Sequence, residues 1–189
     1  MEVHIGGLTT YTNSGRHIAV DVHPHNFGFV VLENLRVLDC GTRRCDRTQS
    51  SDCLGQRFQR ILRAYTPSVV VMRLYRRSRP ARGTGRPALI DTIRAVAVES
   101  RVEVVGLQSH EIQNFFLSRN ARTKHERAQA VALLLPELAW KLPPQRKLWQ
   151  SEHYRMSIFD AAAVALTFIV VRSDPGASSS LFDTMDRSA

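Results

Sequence analysis

A chain of 189 residues with 43% apolar content is long enough to bury a full core as one domain, and no stretch reaches the roughly 18 consecutive apolar residues of a membrane span. The 26 Lys and Arg against 17 Asp and Glu give a formal net charge of +9, an arginine-led excess that points to a polyanionic partner, nucleic acid first and an anionic membrane surface second. Cys40, Cys45 and Cys53 match neither CxxC nor a Cys/His zinc spacing, and their odd number argues against a closed disulfide set, so they read as reduced thiols of a cytoplasmic protein.

Met1 to Arg16 is polar and Gly/Thr-rich, without the basic-then-apolar layout of a signal peptide, so residues 1–16 read as an N-terminal extension. Three short strands are predicted at 17–22, 27–33 and 36–41, with turn chemistry in His23-Pro24-His25-Asn26 and at Asn34. That spacing makes an antiparallel meander. Leu54, Phe58, Ile61 and Leu62 recur at helical spacing with Arg57, Arg60 and Arg63 on other faces, predicting a helix over about 52–65 that Pro67 ends. Val69-Val70-Val71-Met72 is a continuous apolar run, the pattern of a central strand covered on both faces. Leu89, Ile93, Val96 and Ala97 then mark a helix, and Val102 to Leu107 a further strand. Ser109 opens a short helix, and Thr123-Lys124-His125-Glu126 is a capping box that starts a helix to about Leu135. Pro136, Pro143 and Pro144 bracket a connector, and the last helix spans roughly 154–171. The body is thus 17–172, and 173–189 has the Ser/Asp/Gly composition of a disordered tail.

Two acids stand in segments otherwise built for burial. Asp21 ends the run His17-Ile18-Ala19-Val20, and Asp160 is the single acid between Arg155 and Phe168. A desolvated carboxylate must be neutralised, hydrogen-bonded or bound to a cation, because burying a bare charge costs many kcal/mol. The alanines after Asp160 favour close packing of its helix on the sheet, which carries that acid inward. Converging, the two make a metal site; the plainer alternatives are a turn-capping or arginine-paired Asp21 and a backbone-bonded Asp160.

This order of elements, with an acid in the first strand and another on the closing helix, resembles the ribonuclease H-like fold, and within it the RuvC-like Holliday junction resolvases. The resemblance covers about residues 17–170 and is carried by Ile18-Ala19-Val20-Asp21 with the hairpin after it and by the segment from Glu152 to Leu166. It implies an α/β architecture with a mixed five-stranded sheet: three antiparallel strands, then two strands parallel to the first, with helices on both faces. It also implies a Mg²⁺-dependent endonuclease acting on branched or structured DNA in recombination. Family members use about four carboxylates to hold two ions about 3.5–4 Å apart. Here Asp21 and Asp160 match two of those positions, and Glu152, eight residues before Asp160, is the candidate third ligand and catalytic acid. The chain departs from the pattern at Arg73, where the family has a glutamate, and at Ser157, where the best-known resolvases carry a further acid.

Arg73 leaves several readings open. Its guanidinium stands in for metal charge between Asp21 and Asp160, giving a catalytically degenerate nucleic-acid-binding module, or it binds phosphate, or it is simply solvated. The acid-free loop with Arg76, Arg77, Arg79, Arg82 and Arg86 reads as a phosphate-binding stretch, extended by Arg122 and Lys124 at a helix N-terminus. DNA is expected over RNA as partner, and homodimerisation is left open. His23 and His25 read as turn histidines, His153 as a candidate proton carrier, and Trp140 and Trp149 as rings that pin the connector to the body rather than stack on bases. A sugar-kinase or actin-like ATP-binding domain is disfavoured because the turn 23–26 lacks phosphate-cradling glycines.

Overall fold

The computed structural model describes residues 2–5, 8–11, 15–24, 26–44, 50–75, 86–147 and 149–173. Arg76, Arg77, Arg79, Arg82, His25 and residues 174–189 therefore lie outside the described residues, and Arg86 is described only as the first residue of a helix. Ahead of the body, Glu2–Ile5 (β1) and Leu8–Tyr11 (β2) pair as an antiparallel hairpin within the expected extension.

The body is built on β3 (Arg16–His23), β4 (Asn26–Glu33), β5 (Arg36–Arg44), β6 (Val69–Leu74) and β7 (Glu103–Gln108). Their order in the sheet is β5-β4-β3-β6-β7, with β3, β4 and β5 antiparallel and β6 and β7 parallel to β3, as the sequence led us to expect. Asn34 and Leu35 both take positive φ, 50° and 64°, the geometry of a two-residue hairpin turn whose twist suits the strands it joins.

Alternation along β3 sorts the sheet into two faces. Ile18, Val20 and Val22 pack with Phe27, Phe29 and Met72 against α1 (Ser50–Tyr65) and α2 (Arg86–Glu99). Ala19, Val30, Leu32 and Val71 pack on the other face against α3 (Ser109–Leu117), α4 (Lys124–Leu134) and α5 (Met156–Ser173). Asp21 and His23 share the face of Ala19 by the same period of two. Every residue of α5 from Met156 to Phe168 is buried, since its alanines let the helix lie close on the sheet while α3 and α4 pack on it from the other side; a 3₁₀ turn at Pro136–Lys141 packs against α4 and β5.

Two expectations are corrected here. Cys40 is a free thiol, but Cys53 is disulfide-bonded; an odd count leaves one thiol over and does not forbid one bridge. Trp140 and Trp149 do not pin the connector, their side chains being 72% and 80% exposed; Leu138 and Pro143 are the buried anchors instead. No described helix is long and apolar enough to cross a membrane.

Candidate active site

Asp21 lies opposite Gly28 in the β3–β4 register, and Gly28 is where α5 touches the sheet. A Cβ at Gly28 would collide with the Ser157 carbonyl and stand 2.8 Å from the Ser157 Cβ. The missing side chain therefore seats the first turn of α5 directly on β4, and Asp160 comes down beside Asp21. Both acids are buried, Asp21 wholly and Asp160 at 4% exposure. On the far side of Ser157, its hydroxyl lies 3.0 Å from that of Thr42 on β5, so a hydroxyl pair occupies the position where the resemblance would have an acid.

Each acid has a cation next to it, and Asp21 has two further polar neighbours. His23 Nε2 is 3.0 Å from Asp21 Oδ2, Arg73 Nε is 3.6 Å from Asp21 Oδ1, and the Tyr75 hydroxyl donates to Oδ1 at 2.7 Å. Burial pushes the Asp21 carboxyl upward, but the His23 contact, the charge of Arg73 and the Tyr75 bond outweigh it and hold the group below the usual aspartate range. Asp160 goes the other way: burial and the neighbouring Asp21 charge raise it, and Lys124, with Nζ 2.7 Å from Oδ2, only partly offsets them. Burial works against the charges of Arg73 and Lys124, yet Asp21 and Asp160 respectively keep both firmly protonated. Two carboxylates this close do not ionise independently.

One ligand atom each from Asp21, His23 and Asp160 lie within 4.8 Å of one another, the one such metal-competent group among the described residues. Asp21 Oδ2, His23 Nε2 and Asp160 Oδ2 are all buried, the first two facing each other at 3.0 Å and the third facing Lys124 Nζ at 2.7 Å. Two carboxylate oxygens and an imidazole nitrogen converging in one buried place are donor types that a divalent cation takes. This donor set fits one divalent ion. It does not fit two, because Arg73 and Lys124 already hold positive charge against both carboxylates and Glu152 is turned to Lys124.

This arrangement of sheet and helices recurs in solved structures. RuvC of Thermus thermophilus in complex with a Holliday junction substrate superposes with a TM-score of 0.61 at 17% identity, over 83% of this chain and 94% of that one. The chain has the RuvC-like, ribonuclease H-like fold. The yeast mitochondrial Holliday junction resolvase Ydc2 gives a TM-score of 0.55 at 15% identity, over 82% of this chain and 79% of that one. A fowlpox virus resolvase in complex with Holliday junction DNA gives 0.52 at 14% identity, over 81% and 97%. No protein-family model and no curated protein sequence matches the chain.

On this RuvC-like frame the residues singled out from the sequence fall unevenly. Asp21 and Asp160 meet. Glu152 lies outside the three-atom cluster, with Oε1 2.6 Å from Lys124 Nζ, and so bears on the site through that lysine. Lys124, expected at a phosphate patch, sits between Glu152 and Asp160, while Arg122 is exposed. Arg73 approaches Asp21 alone; no ion pair within 4.0 Å joins it to Asp160 among the described residues. His23, expected in a turn, ends β3 instead, and its spacing of two from Asp21 is the signal in the sequence that puts both on one face. Arg127 was also missed: half-buried, one turn after Lys124 on α4, it is shifted down by burial and by the charge of Arg73.

Lys124 owes its position to the capping box, in which the Thr123 hydroxyl accepts from the Glu126 N–H at 3.2 Å and the Glu126 carboxylate accepts from the Thr123 N–H at 2.8 Å. Thr123→Ala is expected to lower the unfolding free energy by about 1 kcal/mol in a urea titration. The same change is expected to weaken any ion response of the site, since the first turn of α4 carries Lys124.

Proposed function

We propose that the chain is a nucleic-acid-binding nuclease of the RuvC-like fold that cleaves phosphodiesters in branched DNA, in recombination, with one divalent ion. The observation that carries the reading is the convergence of Asp21, His23 and Asp160 in a buried cluster bordered by Arg73 and Lys124, with Arg127 near enough to feel the Asp160 charge. The resolvase neighbours support DNA with a junction as the substrate class. Asp21, His23 and Asp160 would hold the ion, which when bound supplies Lewis-acid polarisation of a phosphodiester oxygen. Arg73, Lys124 and Arg127 outnumber the two buried acids. They therefore attract the phosphodiester and steady the charge that develops on it, with Glu152 tempering Lys124. An imidazole donor beside two carboxylates favours Mn²⁺ over Mg²⁺, the ion expected from the family resemblance.

A second reading has its own support: with cations already beside both acids, the fold serves as a binding module in which Arg73 and Lys124 take the place of metal charge. One experiment separates them. The chain is incubated with a labelled four-way DNA junction in Mg²⁺, Mn²⁺ or EDTA, in parallel with Asp21→Asn. Ion-dependent cleavage that Asp21→Asn abolishes is the expected result, together with a rise in Tm on adding Mn²⁺ to the protein alone. Junction binding with neither cleavage nor an ion-induced Tm shift would overturn the nuclease reading in favour of the module.

A further inference from the structure

The segment that leads into α5, the helix of Asp160, carries two large rings facing solvent. Trp149 is 80% and Tyr154 63% exposed. The Gln150 N–H donates to the Lys147 carbonyl at 3.0 Å and the Lys147 N–H donates to Gln150 Oε1 at 3.1 Å, two bonds that flank Trp149. The Tyr154 carbonyl accepts from the Ser157 hydroxyl at 2.8 Å, and its ring stacks on His153 with centroids 4.7 Å apart and planes inclined by 26°. Each ring also has a cation against it, Lys147 Nζ at 5.6 Å from the Trp149 centroid and the Arg155 guanidinium at 5.7 Å from that of Tyr154.

Between the two rings stands Glu152, which touches Lys124, which touches Asp160. At no more than about 3.5 Å of chain per residue, Trp149 lies within about 11 Å and Tyr154 within about 7 Å of Glu152 along the backbone. The chain thus tethers both rings to the residue that reaches Asp160 through Lys124. The exposed polar residues Gln150, Ser151, Glu152 and His153 separate the rings, so they do not merge into the contiguous apolar patch that a protein partner would bury. Separate flat rings, each paired with a cation, match the chemistry by which single strands are held: the ring stacks on a base of any sequence and the cation takes the adjoining phosphate.

We propose that Trp149 and Tyr154, with Lys147 and Arg155, form a stacking platform that seats unpaired bases of a nucleic-acid strand next to the Asp21–Asp160 pair. The proposal rests on the nucleic-acid reading above and gives it a geometry: a strand leaving a branch point is held by its bases while its backbone passes the acids. It is tested by fluorescence anisotropy with three labelled probes in EDTA, namely a single-stranded oligothymidylate, a fully paired duplex and a four-way junction. Trp149→Ala and Tyr154→Ala are each expected to weaken binding of the single strand and the junction roughly five- to a hundred-fold, the range for losing one stacked base. Duplex affinity is expected to stay within about two-fold in both variants, because backbone phosphate contacts carry duplex binding. Trp149→Phe, which keeps a flat ring, is expected to retain most single-strand binding. In a Trp140→Phe background, tryptophan emission is expected to be quenched by the oligothymidylate. Equal losses on all three probes, or no loss on any, would overturn the platform and leave the nuclease reading intact. Failure of the unaltered chain to bind any of the three would overturn both.

Discussion

Gly28→Ala is expected to lower the unfolding free energy by about 2–3 kcal/mol and to remove the Mn²⁺-induced rise in Tm, although Gly28 bears no functional group. The added methyl would be driven into the Ser157 carbonyl, a backbone atom in the first turn of a helix that is buried on every side. A flexible side-chain end could swing away; this carbonyl cannot move without the helix. The start of α5 must then lift from β4, and Asp160, one turn further along, parts from Asp21. Because the colliding atom belongs to the backbone, truncating Ser157 to alanine in the same chain is not expected to restore stability. Urea denaturation and thermal melts with and without Mn²⁺ check both halves. A Gly28→Ala protein of unchanged stability and ion response would mean that close seating of α5 does not hold the two acids together.

The contrast between Gly28 and Asp21 marks what could be read in the sequence. Several strands and helices of the body were legible from apolar residues repeating at their own period, β6 from a continuous apolar run, and the start of α4 from the Thr123–Glu126 box. Asp21 and Asp160 were legible for the opposite reason, since each breaks an apolar pattern. Gly28 carried no such mark, because its role exists only once α5 lies on β4, and a glycine in a strand looks locally like a weakness. His23 was hidden by its neighbours: His-Pro-His has turn chemistry, yet β3 runs on through residue 23 and the spacing of two places its ring on the side of Asp21. Lys124 was recognised as a cation at a helix start, but its pairing with Asp160 depends on how α4 packs across α5. The β1–β2 hairpin escaped because a polar Gly/Thr-rich stretch shows little of the apolar alternation that marks a half-buried strand.

The two acids are expected to respond oppositely to neutralisation when no metal ion is present. Asp21→Asn leaves the Arg73 guanidinium, whose side chain is 14% exposed, without its counter-charge, and is expected to cost on the order of 3 kcal/mol at neutral pH. Asp160→Asn removes the repulsion from Asp21 and leaves Lys124 its partner Glu152 at 2.6 Å, so it is expected to stay within about 1 kcal/mol of the parent or to exceed it. The pH dependence separates them further. Folding lowers the Asp21 carboxyl, so its contribution is present above the unfolded-state value and is lost as pH falls through the folded one; the deficit of Asp21→Asn shrinks in acid. Folding raises the Asp160 carboxyl, so the parent loses stability as pH rises from the unfolded-state value through the raised folded one, and Asp160→Asn does not. Melts in EDTA across that range measure both slopes. Adding Mn²⁺ is expected to stabilise the parent and neither variant, because an ion held between the acids relieves the same repulsion that Asp160→Asn abolishes. Equal destabilisation by both substitutions at every pH would mean that the acids serve only as partners of Arg73 and Lys124, which is the arrangement of the binding module.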